Sequence, residues 1–305
     1  MTNKIPFYLV TGFLGSGKTT LIKHFIGAFA DSRKIGVIQN EFAEVNVDGQ
    51  ELKQTGKSFD LLEMNNGSVF CVCLLGNFVR SLVDFIEHVH PDLIILEASG
   101  LSDPVSIGQI VSAPVLRNLI WLAHTYTVID AFNFQKTMKS VGHNHHQITV
   151  ADTIVINKCD LAFESLAEIK KKLTIINPFA KVVETCYGMV GLEQESIFRL
   201  PVSVIGNETV ENSGRPDIGS AVIRITKPIT SENLDLFISK YSLISYRIKG
   251  YVFTSGGQVA IQVSFGHVEM KPALNSQYYT ELVIIGPQID QKIVQKEFEN
   301  LCRQN

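Results

Sequence analysis

The first two thirds of the chain read as short apolar runs separated by polar, glycine-containing turns. Ile5 to Val10, Leu93-Ile94-Ile95-Leu96 and Thr153-Ile154-Val155-Ile156 are mainly apolar without alternation, the pattern of strands buried on both faces of a parallel sheet. Lys181-Val182-Val183 is a shorter run of the same kind. Behind the first run, Leu21, Ile22, Phe25, Ile26 and Phe29 fall at helical spacing and predict an amphipathic helix with one face on a sheet. Strand, loop and helix alternate in this way to about residue 200, which predicts an α/β domain whose mainly parallel sheet is flanked by helices.

The pattern then changes. Residues 206–218 are polar, with two glycines and a proline, and read as a linker. Beyond them Ala221 to Ile225 reads as a strand, and Ser231 to Lys240 as a short helix burying Leu234, Phe237 and Ile238. Alternation at Ile261, Val263 and Phe265 marks a half-buried strand, and Glu281 to Ile285 another. Asp290 is placed to cap a last helix with Val294, Phe298 and Leu301 on one face. The order β-α-β-β-β-α predicts a smaller α+β domain, an antiparallel sheet with helices on one side. The expected organisation is therefore 1–205, a linker 206–218, and 219–305.

With 305 residues, 45% of them hydrophobic, the chain is long enough for two cores. Lys and Arg total 27 against 30 Asp and Glu, so neither nucleic acid nor an anionic membrane is an expected partner. The apolar runs are short and interrupted, so no transmembrane helix or signal peptide is expected and the cytoplasm is the default location. Five cysteines, an odd number, point to thiols or ligands and away from a disulfide framework.

Two segments carry the chemistry. Gly12-Phe13-Leu14-Gly15-Ser16-Gly17-Lys18-Thr19 fits the phosphate-binding loop, with a strand before it and a helix after it. Its glycines allow backbone N–H groups to converge on a β-phosphate at a helix N-terminus. Gly15, Ser16, Gly17, Lys18, Thr19 and Thr20 are the expected phosphate-side residues, with Lys18 supplying a charge near the β and γ oxygens and Thr19 a hydroxyl for Mg2+. Asn157-Lys158-Cys159-Asp160 follows the 153–156 strand. The Asp160 carboxylate can accept from N1–H and the exocyclic amine of guanine, whereas adenine would face it with an acceptor. Asn157 would brace the loop and the stem of Lys158 would lie along the base. Thr185-Cys186-Tyr187-Gly188 is the candidate loop closing over the base, with Cys186 its contact.

Between them, Leu93 to Glu97 reads as a central strand ending in the second magnesium-side acid, Glu97, and Gly100 is placed to offer its N–H to a γ-phosphate. Leu101 stands where Ras-like enzymes place a water-orienting glutamine, so slow intrinsic turnover is expected, with Lys18 and Glu97 as the catalytic groups. These features predict a GTP-binding, GTP-hydrolysing enzyme.

The phosphate loop GFLGSGKTT, Asn40-Glu41-Phe42 with Glu44 and Asp48-Gly49, the run from Glu97 to Pro104, and the Asn157 to Leu161 loop together resemble the CobW family of metal-linked GTPases. Arg247-Ile248-Lys249-Gly250 and Ile284-Ile285-Gly286 resemble that family's C-terminal domain. The resemblance implies GTP hydrolysis coupled to insertion or trafficking of a metal ion, commonly zinc or cobalt, or to maturation of a metal-containing cofactor such as cobalamin. It also implies a client metalloprotein or cofactor-maturation enzyme as partner, and a nucleotide- or metal-dependent homodimer as a form to look for.

One departure bears on the metal. The family's usual Cys-x-Cys-Cys after Asn-Gly is replaced here by Ser68-Val69-Phe70-Cys71-Val72-Cys73 after Asn66-Gly67. Cys71 and Cys73, at i and i+2 of an extended strand, face one side and could converge on a soft ion with further ligands. Glu41 and Glu44 are candidate ligands by resemblance, and His143, His145 and His146, in an expected polar loop, by composition. Residues 41–58 sit where P-loop GTPases keep a switch, so GTP would order this stretch and change the metal geometry. The competing reading is a GTP-dependent switch that assembles or reactivates a client enzyme and carries no ion itself. A third, a metal sensor or store with little turnover, is opposed by the complete catalytic loops.

Overall fold

The computed structural model describes residues 4–41, 57–65, 72–100, 103–140, 143–190, 218–273 and 278–303. Two compact units result, Met1–Glu195 and Ser196–Asn305.

The first unit is built on a seven-stranded sheet in which every pairing is parallel. Its strands are β1 (Ile5–Gly12), β2 (Ile35–Glu41), β3 (Asp60–Asn65), β4 (Leu93–Glu97), β5 (Ile120–Asp130), β6 (Thr153–Asn157) and β7 (Lys181–Glu184). They lie in the order β3-β2-β4-β1-β5-β6-β7. Phe7 and Leu9 point to one face and Tyr8 and Val10 to the other, and all four are buried, so both faces of β1 are covered. That is why its sequence shows no polar alternation.

Helix α1 (Lys18–Phe29) lays Leu21, Ile22, Phe25 and Ile26, all fully buried, against Tyr8, Val10, Val37 and Ile95. The described residues of this unit also form helices α2 (Val72–Val89), α3 (Pro104–Val111), α4 (Phe134–Ser140), α5 (His143–Thr149) and α6 (Leu166–Ile176). A second cluster joins Ile154 and Ile156 of β6 to Phe134, Ile148, Ile169 and Leu173. Because the strands are parallel, their C-terminal ends lie together, and the β1, β4 and β6 ends present the loops that carry the chemistry.

The second unit is an antiparallel five-stranded sheet, order β11-β10-β9-β12-β8, with helices α7 (Ser231–Ile244) and α8 (Gln291–Leu301). Its strands are β8 (Ile218–Ile225), β9 (Arg247–Thr254), β10 (Gly257–Ser264), β11 (His267–Pro272) and β12 (Thr280–Pro287). Ile223, Ile248, Ile261 and Leu282 of the sheet pack on Phe237 of α7 and Phe298 of α8, forming its core. Asp290 caps α8 through a 2.9 Å bond from Ile293 N–H, as its position predicts.

Three local expectations change. Among the described residues the second unit has four strands between its helices where the pattern suggested three. The extra one is the mostly exposed edge strand β11, ending in a proline, which has no buried face to impose alternation. The histidine segment is a helix, α5, where a polar loop was expected: its Gln147 and Ile148 are buried, and Gln147 C=O accepts from Thr127 Oγ1 at 2.6 Å. Cys73 lies in the first turn of α2, where an extended strand was expected. Successive positions of a helix do not share a face at i and i+2, so the strand argument for convergence does not apply to it.

Candidate functional site

Gly17 holds the left-handed conformation at φ 103° just before α1, and no side chain caps the helix. A Cβ on Gly17 would lie 2.2 Å from Asn157 Nδ2, and one on Gly12 2.2 Å from Val128 C=O, so both positions exclude larger residues. The result is an open helix N-terminus approached closely by backbone. Ser16 Oγ is buried within the loop and, among the described residues, has no hydrogen-bond partner. Lys18 is buried, and its Nζ donates to Phe13 C=O at 3.4 Å.

Thr19 Oγ1 donates to Glu97 Oε1 at 2.8 Å. Glu97, at the end of β4 and 6% exposed, therefore sits beside the phosphate loop as its position in the sequence predicts. This hydroxyl–carboxylate pair fits Mg2+, a hard cation bound through oxygens and water. Gly100 comes so near the loop that a Cβ would stand 2.6 Å from Leu14 N.

The base side is locked to the phosphate side. Asn157, 2% exposed, donates from Nδ2 to Ser16 C=O at 2.9 Å and accepts at Oδ1 from Gly188 N–H at 3.0 Å. One side chain thus ties together β6, the phosphate loop and the 185–188 loop. Lys158, at φ 61°, donates from Nζ to Gly15 C=O at 2.8 Å and pairs with Asp130 Oδ2 at 2.7 Å. Asp130 also accepts from the N–H groups of Phe132 and Asn133. Burial pushes its carboxyl up, but the bonds from Lys158 and Asn133 prevail and hold it below the ordinary 3.8.

Asp160 lies exposed on the helical turn Cys159–Leu161 and borders an open cleft of 530 Å3 with Phe132, Leu161 and Phe163. Neither Lys158 nor the phosphate loop lines that cleft, so it is not the base pocket itself. The 185–188 loop adjoins the same turn, with Cys159 N–H donating to Thr185 C=O at 3.3 Å, and Cys186 packs partly buried beside it.

Asp130 escaped the sequence reading although it ends an apolar run as Glu97 does, and Gln39, at the β2 end, escaped it too. Gln39 Nε2 donates to Glu97 Oε2 at 3.1 Å.

The metal candidates are placed less completely. Glu44 and Cys71 lie outside the described residues, as does most of the expected switch stretch, residues 42–56. Glu41 ends β2, Cys73 is in α2, and His143 opens α5. His145 is half-buried, and His146, 2% exposed, has Nδ1 3.4 Å from Asp103 Oδ1. Asp103 caps α3, accepting from Val105 N–H and Ser106 Oγ. Burial raises its carboxyl, but His146, Ser106 and Val105 together hold it below its usual value. His146 therefore faces the segment that follows Glu97 and Gly100. Among the described residues no group of three or more His, Cys, Asp or Glu side chains is placed to hold a metal ion.

Comparison with known proteins decides the family. Residues 6–184 match the CobW/HypB/UreG nucleotide-binding domain, and 218–302 match the cobalamin synthesis protein CobW C-terminal domain. The chain belongs to the CobW/HypB/UreG family. It is a P-loop GTPase by family, motif and fold. Among relatives, zinc chaperone YjiA of Escherichia coli is 26% identical, over 98% of this chain and 99% of that one. Zinc chaperone CobW of Pseudomonas aeruginosa is 27% identical, over 95% and 90%. Zinc chaperone CobW of a Sinorhizobium species is 32% identical over 52% of each, so the chain spans about half of that relative. The crystal structure of Zn(II)-bound YjiA GTPase from E. coli superposes with TM-score 0.67 at 24% identity, over 98% of this chain and 99% of that one, and shows the shared fold.

Proposed function

We propose that this CobW-family member binds and hydrolyses GTP and uses the nucleotide state to deliver zinc to a client metalloprotein in the cytoplasm. The observation that carries the GTP part is the double tie between the loops, Asn157 to Ser16 and Gly188, and Lys158 to Gly15 and Asp130. A base gripped by Asp160 is thereby coupled mechanically to the phosphates at the α1 N-terminus. Lys18 stabilises charge on the β and γ oxygens, Gly100 offers its N–H to the γ-phosphate, and Thr19 with Glu97 holds the magnesium side. Mg2+ bound with the nucleotide would neutralise charge between the phosphates.

Zinc as cargo is supported by the zinc chaperones among the relatives, which span nearly all of this chain. The proposed cargo ligands are Glu41, Glu44, Cys71 and Cys73, with His143 and His145 as a weaker docking point. Glu41 ends the strand whose neighbour carries Glu97, so a switch that orders at the γ-phosphate would move it. The incomplete cysteine motif favours a second reading, a GTP-dependent assembly or reactivation switch that carries no ion.

A parallel titration of zinc and GTP on wild type and Cys71→Ala/Cys73→Ala, with turnover followed, separates the two. Loss of zinc with hydrolysis retained supports delivery through these cysteines; GTP hydrolysis by a wild type that binds no zinc tightly shifts the function to the ion-free switch.

A further inference from the structure

We propose that Gln39 is a positioning residue of the nucleotide site: its amide nitrogen fixes the Glu97 carboxylate, and its amide oxygen receives a hydrogen bond from a water in the magnesium shell. The proposal rests on the GTPase reading above and names a residue which that reading does not use.

Gln39 and Glu97 are direct register partners on the adjacent strands β2 and β4. The amide is 3% exposed, and its Nε2 donates to Glu97 Oε2 at 3.1 Å. The other carboxylate oxygen accepts from Thr19 Oγ1 at 2.8 Å. Gln39 and Thr19 thus clamp the two oxygens separately and set the plane of the carboxylate.

The orientation of the amide follows from chemistry. An ionised carboxylate only accepts, so the NH2 must face Glu97 and the carbonyl must turn away. Gln39 Oε1 is then a buried acceptor, and among the described residues it has no hydrogen-bond partner. A buried amide oxygen left unmet is unfavourable and calls for a donor. A magnesium ion held on the side of Thr19 and Glu97 would keep several of its waters, and one of these would supply the O–H donor that this oxygen lacks. Leu101 occupies the position after Gly100 where a Ras-like enzyme carries its glutamine. Here the glutamine enters from β2 and serves the acid.

Fluorescent GDP release, followed against magnesium concentration, tests this without requiring turnover. Gln39→Met keeps the length and loses both hydrogen-bonding groups; Gln39→Asn keeps the groups and shortens the reach. Gln39→Met should raise the magnesium concentration for half-maximal slowing of release roughly fivefold, the factor one ordinary hydrogen bond supplies. Gln39→Asn should shift it in the same direction by less. Release without magnesium should stay within about twofold of wild type for both, because the base and β-phosphate contacts are untouched. Half-maximal magnesium within about twofold of wild type in both variants would overturn the assignment, even if turnover fell. Wild type that fails to retain GDP, or releases it without regard to magnesium, would instead overturn the GTPase reading beneath it.

Discussion

The nucleotide site and the candidate metal ligands hang from the same parallel sheet but are built on different plans. Glu97 and Asn157 end strands buried on both faces, Lys158 follows directly, and all three are held by neighbours: Glu97 by Thr19 and Gln39, Asn157 by Ser16 and Gly188, Lys158 by Gly15 and Asp130. Such a site is set before ligand arrives, which is what electrostatic stabilisation of a transferring phosphoryl group requires. The metal candidates are dispersed over the β2 end, the start of α2 and α5, and His146 is turned into the protein toward Asp103. A cargo site has the opposite requirement, since a ligand set that never changes cannot release its ion. On the proposed reading, the difference is that one set of residues is fixed for hydrolysis while another is left to respond to it.

The sharpest way to break this comparison is at the base. Asp160→Ala should lower GTP affinity about 100-fold and abolish preference over ATP, because the site then lacks its acceptor for guanine. Competition of both nucleotides against fluorescent GDP reads the effect, and retained guanine preference would show that the ties at Asn157 and Lys158 do not present Asp160 to the base. Next in size is Asn157→Ala, which removes two buried bonds at once. It should cost about 1–3 kcal/mol in stability, seen as a lower thermal midpoint, and weaken GDP binding by roughly tenfold. A variant with unaltered midpoint would mean the loops are not held by that side chain.

On the metal side the expected effects are smaller. Replacing His143, His145 and His146 together by Ala should reduce zinc affinity by about threefold or less, since a histidine cluster without fixed supporting bonds makes a weak site. A tenfold loss would make α5 a primary ligand element and erase the contrast. The smallest effect is acid sensitivity at Asp130. Its carboxyl is held below 3.8 in the folded protein, so its stabilisation is complete above that value and is lost as pH falls through the lower folded value. Between about pH 6 and pH 3, wild type should therefore lose more thermal stability than Asp130→Asn, which has no such titration. Parallel curves would remove Asp130 from the lock.

Most of the geometry of the candidate nucleotide site was legible because its residues are specified by backbone and charge at fixed spacing. Gly12, Gly17 and Gly100 stand where a Cβ would collide, and Glu97 and Asn157 terminate runs whose continuous apolar character marks a parallel sheet. Gln39 and Asp130 were not legible for a related reason. Their partners, Glu97 and Lys158, are 58 and 28 residues away, and only strand order brings them together. The histidine segment misled by composition: three imidazoles and an asparagine look like a solvated loop, yet docking of Gln147 and Ile148 on the sheet makes a helix of it. In the second unit, β11 was hidden because an exposed edge strand carries no period for a pattern to follow. The family's metal chemistry is legible only through resemblance, for the cysteine positions here depart from the usual motif.

The central claim is that nucleotide state and metal affinity are linked. Zinc dissociation constants measured on the full chain with GDP and with a nonhydrolysable GTP analogue test it most directly. The account predicts a difference of at least about fivefold, matched by an equal factor in nucleotide affinity with and without zinc, since coupling is reciprocal. Identical constants in the two nucleotide states would contradict it.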